Sequence, residues 1–128
     1  MESGLYQFKA RENATLDTTR IMVLRQSLGD ERCREVVEEV VFHLSDRLSL
    51  LQIALREDQA SEAGGLAQRL ASLSEQVGLA DFARVARNLA ECLASGDRTA
   101  TAAVGARLIR LGEDSLFSVI DYADECAL

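Results

Sequence analysis

No proline occurs in the 128 residues, and this absence constrains the fold more than any other feature. Proline fixes φ and removes the backbone donor that a helix interior needs, so a chain without it can carry long unbroken helices. The apolar residues exploit that freedom. From Asp30, read as an N-cap, to about Glu57, the residues Val37, Val40, Leu44, Leu48, Leu51 and Leu55 recur at steps of three and four, which puts them on one helix face. Val36, Val41 and Phe42 are expected to widen that stripe. Ahead of it, Asp17 can cap a short helix carrying Ile21, Leu24 and Leu28, and Gly29 stops it.

Three more segments follow the same period. A helix near 61–77 presents Leu66, Leu70, Leu73 and Val77 to a core and ends at Gly78. One near 80–95 turns Phe82, Val85, Leu89 and Leu93 inward and ends at Gly96. Asp97 then caps a last helix over 98–124 with two adjacent seams, Val104, Leu108, Leu111, Val119 and Tyr122 beside Gly105, Ile109, Gly112, Leu116 and Ile120. The two glycines seven apart are read as close-packing positions, each at about 1 kcal/mol of helix propensity relative to alanine. Short connections between four long amphipathic helices predict an all-α, antiparallel up-down-up-down four-helix bundle with the short first helix across one end. Residues 1–14, with Tyr6 and Phe8 but no period, are assigned as an N-terminal arm to a single domain whose bundle spans 15–128.

Composition narrows the function. The chain is 48% apolar and 27% charged, without Trp, a balance that suits one globular core. A net charge of -7, with 14 cations among 21 acids, argues against nucleic acid, which demands a concentrated positive surface. Neither a signal-type apolar region in MESGLYQFKARENATLD nor a run of about 18 apolar residues is seen, so a cytoplasmic protein without a membrane segment is expected. Cys33, Cys92 and Cys126 stand far apart with no CxxC spacing, which indicates neither disulfides nor zinc. The adjacent acids Glu38-Glu39, Glu57-Asp58 and Glu113-Asp114 diverge by 100° on a helix and read as solvated faces. Asp121, Asp124 and Glu125 lack a Ca²⁺-loop pattern. No cofactor or metal is expected.

In projection, the third helix turns Gln68 almost directly away from its leucine stripe. Ser61, Gly64, Gly65, Ala71, Ser72 and Glu75 share that outward side. An exposed helix surface is ordinarily filled with long polar side chains of good propensity, so two adjacent glycines there cost stability. The reading is a smooth platform for another protein, set against the alternative that Gly64 and Gly65 only mark an irregular helix start.

The pieces LD..R...LRQSLGDE, VVFHLSDRLSLLQIALRED, LAQRLASLSEQVGL, ARNLAECLASGD and ARLIRLGEDSL, in this order over about residues 16–120, resemble the histidine-containing phosphotransfer (HPt) domains of bacterial two-component phosphorelays. That family exposes a histidine in the pattern His-x-Leu-(Lys or Ala)-Gly, with another glycine about ten residues on. Here Leu70, Ala71 and Gly78 fit, and Arg69 supplies the neighbouring cation. Gln68 stands at the histidine position and Ser72 at the glycine. A carboxamide nitrogen has its lone pair delocalised into the carbonyl and is no phosphoryl acceptor, yet it can still donate and accept hydrogen bonds. The resemblance therefore implies a pseudo-phosphotransfer module that is not an enzyme, docking a response-regulator receiver domain or histidine kinase through Gly64, Gly65, Gln68, Arg69, Ala71, Ser72 and Glu75. His43, at the edge of the second helix's stripe and without small neighbours, reads as a boundary residue rather than an acceptor. The alternative is a structural or homo-oligomeric bundle using the aromatic arm or the Leu116 to Tyr122 end.

Overall fold

The computed structural model describes residues 16–127, and side chains from 16 to 122; the arm at 1–14, Cys126 and the side chains of Asp124 and Glu125 lie outside them. Five helices pack against one another: α1 (Thr18–Leu28), α2 (Asp30–Arg56), α3 (Ala60–Gln76), α4 (Ala80–Ser95) and α5 (Arg98–Ala127). There is no strand among the described residues. Several helix boundaries have a local cause. The Asp17 carboxylate accepts from the Thr19 N–H at 3.0 Å, and the Asp97 carboxylate accepts from the Ala100 N–H at 3.0 Å, both satisfying donors that a helix start leaves free. Asp30 is the first residue of α2 rather than its cap. The cap is Gly29, whose φ of 85° lets one residue end α1 and begin α2.

From α2 onward, each helix packs on the next and α5 returns to α2, while α1 lies on α2. Two glycines set how closely α5 approaches. A Cβ at Gly105 would meet Leu55 Cδ1 at 3.3 Å and Leu89 Cδ1 at 3.8 Å. At Gly112 it would come 2.7 Å from Leu48 Cδ2 and 3.0 Å from Phe82 Cε1. Partner numbers fall along α2 and α4 as they rise along α5, so α5 runs antiparallel to both.

The core contains Val37, Leu44, Leu51, Leu70, Val85, Leu89 and Leu108. Three sequence expectations about facing need correction. Phe42 is 66% exposed and does not widen the α2 stripe, because it points opposite Leu44 and Leu51 at 100° per residue. Leu28 and Ile120 are likewise exposed. Third, α3 is rotated from its leucine stripe: Leu66 and Leu73 are half-buried, while Ala63, Ala67, Ala71 and Ser74 are buried. Opposite them α4 buries Ala83, Ala86 and Ala90. Small side chains on both helices permit close approach, and that contact outweighs the pull of the edge leucines. Ser74 remains satisfied there by donating to the Leu70 carbonyl at 2.6 Å.

Gly78 joins the ends of the chain's first and third elements. Its carbonyl accepts from the Asp17 N–H at 2.7 Å, its φ is 85°, and a Cβ would overlap the Asp17 carbonyl oxygen. No helix among the described residues is long and apolar enough to cross a membrane.

Candidate docking surface on the third helix

Helix α3 positions the residues singled out from sequence. It begins at Ala60, with the Ala63 N–H bonded to the Gln59 carbonyl at 2.9 Å, so Gly64 and Gly65 sit inside a continuous helix and not at an irregular start. A Cβ on either would meet nothing within 4 Å. No packing demand explains them, in contrast to Gly105 and Gly112. Gln68, Arg69, Ser72, Glu75 and Gly65 are exposed, and Gly64 is half-buried. Ala71 departs from this set. It is fully buried against the α4 side, its small size serving helix contact rather than a partner, and it leaves the platform.

The open surface is therefore Gly65, Gln68, Arg69 and Ser72, with Gly64 and Glu75 at its α4 border. Arg87, on α4, reaches Glu75 at 2.8 Å. The hydrogen bond from Arg87 holds the Glu75 carboxyl below its ordinary pKa, with smaller electrostatic help from Arg87 and from Arg20 of α1. Arg87 is raised by the same bond. Sequence reading missed Arg87 because its relation to Glu75 crosses between helices. The face consequently combines an amide, a cation without an ion pair among the described residues and an acid already paired with a neighbour.

His43 is half-buried on α2; the Arg47 guanidinium lies 3.3 Å from its Nδ1, and Phe42 contacts its ring edge-on with centroids 5.7 Å apart. It is a boundary residue of the helix packing. Cys33 is buried and Cys92 half-buried, both free thiols. Compared with protein-family models, curated proteins and solved structures, the chain matches none.

Proposed function

We propose that this protein is an HPt-like module of a bacterial two-component phosphorelay that docks a receiver domain or histidine kinase and accepts no phosphoryl group. In this reading the ring of α2, α3, α4 and α5 is an up-down-up-down antiparallel four-helix bundle with α1 across one end, working in the cytoplasm. The observation that carries it is Gln68 standing exposed on α3 beside Gly65 and Ser72, with open space beyond both glycines. Nothing in the packing requires that smoothness, and a protein surface approaching closely would use it. Gln68 can pair with polar groups of such a partner, but its amide offers no nucleophilic lone pair.

Incubation with a radiolabelled phospho-receiver tests the proposal. The wild-type chain takes up no acid-labile label, and Gln68→His gains slow but detectable acceptance, with Arg69 offsetting phosphate charge. Gly65→Arg abolishes receiver binding in a pull-down while preserving the fold, since its side chain enters open solvent. Label on the wild-type chain that survives Gln68→Ala would overturn the reading and return attention to His43.

A second reading draws on a different observation. Phe42, Phe117 and Ile120 are exposed apolar side chains, a feature of surfaces that self-associate. A concentration-dependent dimer in sedimentation velocity, lost in Phe117→Ser, would favour the structural bundle.

A further inference from the structure

The two ends of the helix assembly are finished differently. At one end α1 lies over α2 and the Asp17 N–H is tied to the Gly78 carbonyl. At the other, where α2 and α4 finish and α5 starts, there is an open recess of about 740 Å³. Its walls are Leu55 from α2, Leu93 from α4 and Ile109 from α5, and its α5 side is kept low by Ala102, Gly105 and Ala106. A second, small cavity of about 40 Å³ adjoins it, sharing Leu55 and Leu93 as walls and lined also by Ala54 and Ala63, both fully buried. Larger side chains at Ala102 or Ala106, which are exposed, would fill this volume and bury more apolar surface; small ones leave it open. A volume of this size falls in the ordinary range for small-molecule sites, which are mostly apolar with a few placed polar groups.

The charge at the mouth selects the ligand class. Arg56, Arg98 and Asp58 line it. Asp58, in the left-handed conformation with φ 59°, is engaged by Arg98 at 3.0 Å. Arg56 makes no ion pair among the described residues. The recess thus presents a guanidinium that is unpaired among the described residues over an apolar floor, in a chain whose net charge is -7.

We propose that this recess binds a small anionic amphiphile, a chain carboxylate whose tail lies along Leu55, Leu93 and Ile109 and whose head pairs with Arg56. Guanidinium and carboxylate match as a two-pronged charge-assisted pair, and the low-dielectric floor strengthens it. The site lies apart from the α3 face around Gln68, so the two assignments stand or fall separately.

Isothermal titration with dodecanoate and with dodecyltrimethylammonium, both below their micelle concentrations, is the test. Overall charge favours the cation, so stronger one-to-one binding of dodecanoate identifies the local site. Ala106→Trp, which fills the recess, and Arg56→Glu, which reverses its charge, each weaken dodecanoate about tenfold or more, with circular dichroism reporting an intact fold. Equal or better binding of the cation, no saturable binding, or dodecanoate affinity indifferent to both variants would overturn the proposal. So would a protein dimer that Ala106→Trp disperses, since a second copy would then be the occupant.

Discussion

Single residues on α3 separate structural need from surface use. Gly64 and Gly65 have open space where a side chain would go, and Gln68 stands out from the same face. Glu75 is different, because Arg87 holds it at 2.8 Å and depresses its pKa. A carboxylate whose folded pKa lies below its unfolded value adds stability above the unfolded value and loses it as pH falls through the folded one. Glu75→Gln should therefore flatten the acid limb of stability below about pH 4 and lower neutral-pH stability by the same amount, a small one because surface ion pairs contribute little. Denaturant titrations of both proteins across that range check it; an unchanged acid limb would show the pair to be without effect in solution.

Among the helices, glycines divide by what surrounds them. Gly112 is pressed by Leu48 and Phe82, whereas Gly65 has nothing near it. Gly65→Ala should raise stability by about 0.5–1 kcal/mol through backbone entropy alone. Gly112→Ala gains the same propensity but must displace the Leu48 and Phe82 side chains within the packed core, with an overpacking cost of about 1–3 kcal/mol, so its net effect should be a lower melting temperature. Two stabilised variants would show that the Leu48 and Phe82 side chains yield readily to α5. Within α3, Leu70 is fully buried. Leu70→Asp should lose on the order of 4 kcal/mol or more, enough to erase a cooperative thermal transition, while Glu75→Ala melts close to the wild type. Similar melting of these two would mean that α3 is rotated differently.

At the scale of the whole molecule, Gly78 joins α1 to the assembly. Any side chain there must occupy a left-handed backbone conformation, costing about 1–2 kcal/mol, and must also displace the Asp17 carbonyl. Gly78→Ala should release α1, so hydrogen exchange over residues 18–28 should rise by well over tenfold while the centre of α2 stays protected. Uniform loss of protection would instead make α1 part of one cooperative unit with the rest.

Helix number, length and order were legible in the sequence. Without proline, the three-and-four spacing runs on until Gly29, Gly78 or Gly96 and restarts at caps such as Asp17 and Asp97, all local signals carried by a few neighbouring residues. The exposure of Gln68 and Ser72 followed from the same period, because each lies nearly opposite Leu70 and faces away from it. What tertiary structure decided was rotation within about half a turn. Leucines at 66 and 73 drew the apparent stripe to one side, but the alanines of α3 and α4 approach more closely, and that contact buried Ala71 and turned the leucines to the edge. Phe42 shows the converse: an aromatic side chain next to a stripe, left outside because no helix packs there. The Glu75–Arg87 pair and the recess at the end of α2, α4 and α5 were beyond sequence reading for one reason. Each is made by residues from separate helices, whose distances depend on how those helices dock and on no pattern within any one of them.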